Sequence, residues 1–255
     1  MKIQYMSDLH LEMAENSRHF KHAEIPVTGD ILVLAGDTSY LKAEASPMQW
    51  FCKWASENYH QVILIPGNHE FYHKCDIMDY GMEWKKMICP NVGIYQNQVL
   101  HLDDTDIILS TLWSHVDSQY EYQIWRGLAD FHQTLCQGEP LTVNQYNQFH
   151  GYCLNFIKTA VAESSANHIV VVTHHLPTTL VVAQRHHSSP LNSAFATELG
   201  DYIVDSNIDV WIYGHSHTNF DAMIGNTMIV SNQLGYAHEF KRRQNGFDFG
   251  KFITI

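Results

Sequence analysis

Six short apolar runs recur along the chain, each rich in β-branched residues and bounded by polar ones. They span residues 3–6, 31–34, 62–65, 107–109, 169–172 and 210–213. Runs of this kind are typical of buried strands. A chain that contains so many short buried strands has to assemble them into a layered sheet structure. The runs therefore constrain the fold more than any other feature of the sequence.

Helical patterns are predicted between these runs. The predicted helices span residues 47–59, 76–89, 142–165 and 192–205. Ser46 is a favourable N-cap for the first of them, and Pro47 suits its first helical position. The Gly225-Asn226 pair predicts a hairpin turn, and residues 251–255 predict a last strand. Strands that alternate with helices predict an α/β fold, and the hairpin predicts that its sheet is mixed.

Side chains that commonly bind metals directly follow five of the six runs. They lie in the segments Ser7-Asp8-Leu9-His10, Gly36-Asp37, Gly67-Asn68-His69-Glu70, Thr173-His174-His175 and Gly214-His215-Ser216-His217. In open α/β sheets the carboxyl ends of the strands are where ligands bind. Asp8 and His10 are two residues apart, as are His215 and His217, so each pair would point the same way in an extended backbone. We therefore expect these side chains to meet at one edge of the sheet.

The donor types in these segments indicate which cations they suit. Carboxylate, amide and imidazole groups together favour Mn, Fe, Zn or Co over calcium, which prefers oxygen ligands alone. The chain has 18 histidines, and most of them are expected at the surface or satisfied in the core. Each short motif is weak evidence by itself. Five motifs in order, each at a strand end, predict a metal site.

The ordered set D-x-H, G-D, G-N-H-E, H and G-H-x-H resembles the calcineurin-like metallophosphoesterases. The resemblance extends from Asp8 to His217. It implies a four-layer α/β/β/α sandwich of two mixed sheets flanked by helices, with a two-metal centre at one edge. We expect residues 1–255 to form a single domain of this type. Residues 113–140 fit neither the strand nor the helix pattern well, and they are interpreted as a cap or insertion near the site or, equally, as an irregular surface helix pair.

The resemblance also implies a ligand set and a reaction. One metal would be held by Asp8, His10, Asp37 and His217, and the other by Asp37, Asn68, His174 and His215. A hydroxide that bridges the two metals would attack phosphorus. His69 would lie near the leaving-group oxygen and donate a proton or a hydrogen bond, and His175 would contact the phosphoryl group.

One position departs from the pattern of the family. Many members read G-D-x-x-D, and the second aspartate orients the histidine that acts as the acid. Here that position is Tyr40. An imidazole that lacks a carboxylate partner is less well oriented. Glu70, the last residue of G-N-H-E, is the candidate that we consider for replacing that aspartate beside His69.

Composition limits the partners and the location. The formal net charge of −12 disfavours a broad nucleic-acid-binding surface, whereas an anionic substrate remains compatible with cations in a single pocket. The odd count of five cysteines and the absence of a C-x-x-C pair argue against a zinc ribbon or a disulfide scaffold. With no signal peptide or membrane span in the pattern, we expect a cytoplasmic protein. The oligomeric state is open.

Three functions are compatible with these observations. The leading hypothesis is an enzyme, a phosphodiesterase or phosphomonoesterase that acts on a small phosphorylated molecule or a nucleotide. The second is a nuclease of the same family. The third is a metal-binding scaffold without turnover, which is disfavoured because His69 and all seven presumed ligands are present. The sequence names neither the substrate nor the native metal.

Overall fold

The computed structural model describes residues 1–42, 47–240 and 245–255. The strands in these ranges are β1 (Lys2–Met6), β2 (Ile31–Ala35), β3 (Gln61–Ile65), β4 (Cys75–Asp76), β5 (Trp84–Cys89), β6 (Val92–Gln96), β7 (Gln98–Leu102), β8 (Thr105–Ser110), β9 (Thr134–Cys136), β10 (Glu139–Pro140), β11 (His168–Thr173), β12 (Val210–Tyr213), β13 (Ala222–Ile224), β14 (Thr227–Ser231) and β15 (Phe252–Thr254). The α-helices are α1 (Ala14–His22), α2 (Pro47–Asn58), α3 (Glu121–Gly127), α4 (Asp130–Gln133), α5 (Val143–Glu163), α6 (Gly200–Asp205) and α7 (Ala237–Phe240).

Two six-stranded mixed sheets contain most of the strands. The first sheet has the order β15-β1-β2-β3-β6-β5, and the second has the order β13-β14-β12-β11-β8-β7. In each sheet four central strands run parallel and the two edge strands run antiparallel to their neighbours. Because the central strands of a sheet are parallel, their carboxyl ends lie at one edge.

Alternating side chains of the central strands form the layers of the protein. In β2, Val33 belongs to the core between the two sheets, whereas Leu32 packs on the opposite face against the first pair of helices, α1 and α2. In β11, Val172 faces the same central core, whereas Val171 packs with α5 and α6. Helices thus cover the outer face of each sheet. The fold is a four-layer α/β/β/α sandwich, which confirms the predicted fold class.

The long helix α5 follows its predicted pattern. Thr142 is its N-cap, and the Thr142 and Gln145 side chains form a reciprocal capping box. Tyr146 and Cys153 lie on its buried face. The predicted hairpin around Gly225-Asn226 is also present, since β13 and β14 pair antiparallel across that turn. The first predicted helix is observed as α2, whereas its predicted N-cap at Ser46 lies outside the described residues.

The helix that we predicted over residues 76–89 is wrong. Part of this segment is β5, which pairs antiparallel with β6 at the edge of the first sheet. Gly81 has a φ of 76°, a left-handed value that interrupts an α-helix. Pro90 lies in the tight turn between β5 and β6. Tertiary pairing has overridden an apolar spacing that also suited a helix.

The helix predicted over residues 192–205 is also wrong in its first half. A 3₁₀-helix covers Pro190–Ala194, and the α-helix α6 begins only at Gly200. Between them, Ala196 forms an isolated parallel bridge with Leu176. This bridge holds the backbone extended at the point where a helix would have to continue.

Residues 113–140 form a compact segment between β8 of the second sheet and the helix α5. They contain a 3₁₀-helix at Ser118–Tyr120, then α3 and α4, and then β9 and β10, which join β4 in a small three-stranded sheet. Ile124 and Phe131 are buried in a cluster with Tyr146 of α5. Among the described residues, no helix combines the length and the apolar character needed to cross a bilayer.

Candidate metal centre

The carboxyl ends of both sheets converge on one buried polar cluster. The loops after β1, β2 and β3 supply Asp8, His10, Asp37, Asn68 and His69, and the loops after β11 and β12 supply His174, His175, His215 and His217. Backbone hydrogen bonds join the loops directly, because Asp8 N donates to Gly36 O over 3.0 Å and Gly214 N donates to His174 O over 3.0 Å. The structure therefore brings all nine predicted site residues into one region.

Within this region, three sets of side chains hold ligand atoms within 4.8 Å of one another. The first ligand group is Asp8, His10 and His217, and the second ligand group is Asp37, His174 and His215. Asp37 also forms a third such set with His10 and His69. Asp37 therefore lies between the two groups.

The backbone explanation that we gave for the D-x-H and H-x-H spacings is wrong. The φ angles of Asp8, His10, His215 and His217 are 55°, 47°, 77° and 50°, and that of Asp37 is 53°. These values belong to the left-handed region and not to an extended segment. The side chains of each pair converge because consecutive sharp turns aim them inward.

Glycines next to the ligands give the cluster its room. Gly36 has a φ of 86°, and a Cβ placed on it would lie 2.3 Å from Nδ1 of His174. A Cβ on Gly67 would lie 2.3 Å from Oδ1 of Asp37. A larger residue at either position would displace a side chain of the second ligand group.

Hydrogen bonds around the first ligand group fix the tautomers of two imidazoles. Nδ1 of His10 lies 3.0 Å from Glu12 Oε1, and Nδ1 of His217 lies 2.6 Å from Glu239 Oε2. Because a carboxylate only accepts, each Nδ1 carries a proton, and each Nε2 is the nitrogen left for a cation. Those two Nε2 atoms face each other at 3.1 Å. Two ring nitrogens at this distance need a proton or a metal ion between them, so these residues fit a cation.

The second ligand group shows the same convergence of acceptors. His174 Nδ1 lies 2.9 Å from the carbonyl oxygen of Ala35, which leaves its Nε2 as an acceptor. That Nε2 lies 3.1 Å from Asn68 Oδ1 and 3.4 Å from Asp37 Oδ1. The Asn68 amide nitrogen donates to Tyr72 and Asp130 instead, so it is the amide oxygen that faces His174. Three acceptor atoms thus surround one position.

The pKa values of two histidines reflect the negative charge that surrounds them in the centre. Burial lowers the pKa of His217, but hydrogen bonds with Asp8 and Glu239 outweigh burial and raise that pKa to about 10. Burial likewise opposes protonation of His174, yet the charge of Asp37 raises its pKa to about 9. Protons therefore occupy places that a cation would take, and metal binding would release them.

His215 and His175 have a different environment. The His215 ring is stacked between His175, at a centroid distance of 4.1 Å, and Phe195, at 4.4 Å. Burial holds the pKa of both histidines well below the ordinary value, so each imidazole is neutral. His175 is fully buried, and its Nδ1 is hydrogen-bonded to Ser114 over 3.0 Å. His175 therefore packs behind a candidate ligand.

His69 lies beside the ligand groups and faces several partners. Its backbone N–H donates to Asp37 Oδ1 over 2.9 Å, and its ring stacks on Tyr72 at 4.2 Å. Its Nδ1 lies 3.1 Å from Glu12 Oε1, and its Nε2 lies 3.2 Å from the Tyr236 hydroxyl. Burial lowers its pKa, but the charge of Asp37 and the bond to Glu12 raise that pKa overall.

Glu70 does not replace the missing aspartate beside His69. Its buried carboxylate accepts backbone N–H groups of Asp37, Thr38 and Gly67 over 2.7–2.9 Å. Glu70 thus ties the loop after β2 to the loop after β3. The carboxylate that reaches His69 belongs to Glu12.

Sequence reasoning missed four side chains that surround the centre. They are Glu12, Asp130, Tyr236 and Glu239, which contact His69, Asn68, His69 and His217 respectively. Glu12 had a signal, because it continues the alternation of Asp8 and His10 by two more residues. The other three come from segments outside the motifs, and only the folded structure brings them near.

A fold of two mixed sheets with clustered carboxylate, amide and imidazole donors at one edge defines a class of metal-dependent phosphoesterases. The chain belongs to the calcineurin-like phosphoesterase family, whose pattern matches residues 1–219. This confirms the resemblance drawn from the motifs. Family membership supports metal-dependent hydrolysis of phosphate esters.

Similar proteins extend over nearly the whole chain. "Uncharacterized protein L509" of Acanthamoeba polyphaga mimivirus is 27% identical over 278 residues, which cover 99% of this chain and 96% of that protein. The crystal structure of phosphopantetheinyl hydrolase (PptH) from Mycobacterium tuberculosis has a TM-score of 0.70 at 16% identity and covers 95% of this chain and 92% of that one. The protein TT1561 of Thermus thermophilus has a TM-score of 0.52 at 12% identity, covering 91% and 88%. The two structural likenesses establish the fold alone.

Proposed function

We propose that this protein hydrolyses phosphate esters of small phosphorylated molecules, with two divalent cations bound by its strand-end loops. One cation would be held by Asp8, His10, Asp37 and His217, and the other by Asp37, Asn68, His174 and His215. The observation that carries the proposal is the convergence of acceptor atoms in both ligand groups, with facing Nε2 atoms of His10 and His217 at 3.1 Å. When bound, such cations polarise the phosphoryl group and make water a better nucleophile at neutral pH.

His69 is assigned the proton donor for the leaving group. With Nδ1 held by Glu12, its Nε2 is the ring nitrogen left to reach a leaving group, and it lies 3.2 Å from the Tyr236 hydroxyl. The raised pKa of His69 favours the imidazolium form, which an acid requires. In the complex, the proton on Nε2 would pass to the departing oxygen as its bond to phosphorus breaks.

His175 is assigned a supporting role in place of the phosphoryl contact that we first considered. Its side chain is fully buried and stacked on His215. Such packing fixes the orientation of His215 and keeps its imidazole neutral, as a metal ligand must be.

Residues 113–140 are proposed to act as a cap at one side of the centre. Asp130 at the start of α4 reaches the second ligand group through Asn68, at 3.4 Å, and through the Tyr72 hydroxyl, at 3.1 Å. These contacts orient the Asn68 amide so that its oxygen faces inward. Movement of the cap would therefore alter the second group directly.

The surroundings suit a small substrate. A cleft of about 150 Å³ lies beside the centre and is lined by Phe195, Ser216 and Thr218 among others. Phe195, which lines the cleft, also stacks on His215, so the cleft reaches the second ligand group through that ring. This supports a compact organic group next to the phosphate, and it leaves the choice between monoester and diester to experiment.

Metal analysis is the first test. Protein purified with Mn, Fe, Zn or Co supplied in turn is expected to retain about two ions per chain. The Asn68→Ala variant should retain less. Protein that binds none of these metals would contradict the proposal.

Turnover of bis(p-nitrophenyl) phosphate and p-nitrophenyl phosphate by the metal-loaded protein is the second test. His69→Ala and Asn68→Ala should each lower kcat by roughly 10²-fold or more. His60→Ala, at an exposed position before β3, is the matched control and should behave as wild type. Metal binding without turnover of these esters, or of a screen that includes cyclic nucleotides and phosphopantetheinyl esters, would indicate a scaffold instead.

A further inference from the structure

The Glu12 carboxylate lies between two imidazoles at the edge of the candidate metal centre. Its side chain is 3% exposed. The single oxygen Oε1 lies 3.0 Å from Nδ1 of His10 and 3.1 Å from Nδ1 of His69. Because a carboxylate has no proton to give, both ring nitrogens donate to it. One oxygen thus fixes the tautomers of a proposed ligand and of the proposed acid.

The turn that contains Glu12 is held firmly in place. Leu11 N donates to Thr38 O and Met13 N donates to His10 O, each over 2.9 Å. The buried Asn16 side chain donates to the carbonyl oxygens of Leu9 and Gly235 over 3.0 and 2.8 Å. These bonds position Glu12 without any help from substrate or metal.

Position 40 supplies no carboxylate to His69 in this chain. Tyr40 stands where the resembling family has its second aspartate, and its ring packs on His73 at 4.4 Å. Burial and then the charge of Glu12 raise the pKa of the Tyr40 hydroxyl, so that this side chain is neutral. Glu70, the other nearby carboxylate, is occupied by backbone N–H groups.

We infer that Glu12 is the positioning residue that orients His69 towards the leaving group, in the role that the second aspartate of the family serves from position 40. The inference rests on the proposed function. Glu12 holds the ring by Nδ1, which leaves Nε2, next to the Tyr236 hydroxyl, as the nitrogen that would reach a leaving group. The same oxygen holds His10, so the proposed acid and the first ligand group share one anchor. In this chain the carboxylate beside His69 comes from the loop after β1 and not from the loop after β2.

The kinetic test compares two diesters that differ in their leaving group, p-nitrophenyl and phenyl. An acid matters more for phenoxide, the poorer leaving group, than for nitrophenoxide. Glu12→Gln is expected to lower kcat for the phenyl diester by about 10–100-fold and to change that for the nitrophenyl diester several-fold less. Glu24→Gln, at an exposed position, is the matched control. An equal loss on both esters, or no loss, would overturn the inference.

A relocated carboxylate provides the rescue test. Tyr40→Asp, made in the Glu12→Gln protein, should recover part of the phenyl diester turnover. Recovery would show that one carboxylate at either position serves His69. Failure to recover any would refute the claim that Glu12 stands in for the aspartate.

A third measurement is independent of turnover. In metal-free protein with ¹⁵N-labelled histidine, the wild type should show a His69 ring that is protonated at Nδ1, and Glu12→Gln should shift that signal. A His69 signal unchanged by Glu12→Gln would refute the contact itself. If the wild type instead hydrolyses no ester while this shift is seen, the proposed function fails and the Glu12–His69 contact stands.

Discussion

The two ligand groups are built from the same kinds of strand-end loop, yet their surroundings differ. Imidazoles of the first group, Asp8, His10 and His217, are hydrogen-bonded to the carboxylates of Glu12 and Glu239. Those of the second group, Asp37, His174 and His215, contact a backbone carbonyl and aromatic rings. The comparison teaches that carboxylates control the environment of the imidazoles in the first group, whereas packing controls that of the imidazoles in the second. A carboxylate behind an imidazole makes it a stronger ligand, so we expect the first group to bind its cation more tightly.

The largest effect is expected from removing the residue that the two groups share. Asp37→Asn should disturb both groups, lower the retained metal, and reduce turnover by more than the roughly 10–100-fold that loss of an outer partner costs. Metal analysis and bis(p-nitrophenyl) phosphate kinetics measure the two effects. Asp205→Asn, exposed at the end of α6, is the control. If Asp37→Asn loses metal from one group only, Asp37 does not link them.

The next effect concerns the carboxylate side alone. Glu239→Gln removes the negative charge behind His217, and it should weaken binding of one Mn²⁺ by about 10–100-fold while the other stays bound. Competition with a chelator measures the two affinities. Glu163→Gln, exposed at the end of α5, should change neither. Equal weakening of both ions would remove the distinction between the groups.

A smaller effect is expected on the aromatic side. Phe195→Leu removes the ring that stacks on His215 at 4.4 Å. Such a pair contributes about 0.5–1.5 kcal/mol, so the free energy of unfolding should fall by that order. Urea unfolding gives this value, and a Mn²⁺ titration should show less weakening than in Glu239→Gln. If Phe195→Leu weakens Mn²⁺ binding as much as Glu239→Gln does, the stacked ring and the carboxylate contribute equally to metal affinity.

The smallest effect concerns the loop that holds Phe195 in place. Glu198 accepts hydrogen bonds from Thr179 N over 3.0 Å and Gly200 N over 2.9 Å. Burial opposes its ionisation, but the hydrogen bonds from Thr179 outweigh burial and lower the pKa of Glu198 below its ordinary 4.5. Because the folded pKa is depressed, the stabilisation is complete above about pH 4.5 and is lost as the pH falls through the folded value.

Amide hydrogen exchange of residues 176–200 measures this loss. Wild-type protection should decline on acidification below pH 4.5, whereas Glu198→Gln should be less protected at neutral pH and change less with acid. If the protection of Glu198→Gln changes with pH as it does in the wild type, ionisation of Glu198 does not stabilise this loop.

Local patterns along the chain predicted the central strands and the clustering of the proposed ligands. Buried β-branched runs leave little alternative to a strand, and polar residues at the carboxyl ends of parallel strands have to meet. His174 and His215, which follow two parallel strands of the second sheet, come together with Asp37 for this reason. The site therefore followed from short motifs combined with a simple rule of sheet geometry.

What the sequence did not predict depends on approach between distant segments. Glu239 lies 22 residues beyond His217, and Glu12 lies 57 residues before His69, so no local spacing connects them. The edge strand β5 was read as a helix because its apolar spacing suits either form until β6 pairs with it. The side chains that contact the site histidines from outside the motifs are brought there by packing, and sequence patterns do not show packing.

The left-handed backbone of the strand-end turns has a consequence for which amino acids these positions tolerate. Five of the seven proposed ligands have φ between 47° and 77°. Apart from glycine, the residues that most readily adopt such angles are Asn, Asp and His. Those three are also among the side chains that transition metals accept. The backbone angle and metal coordination thus favour the same few amino acids. A substitution that suits only one of these two requirements would still disrupt the site.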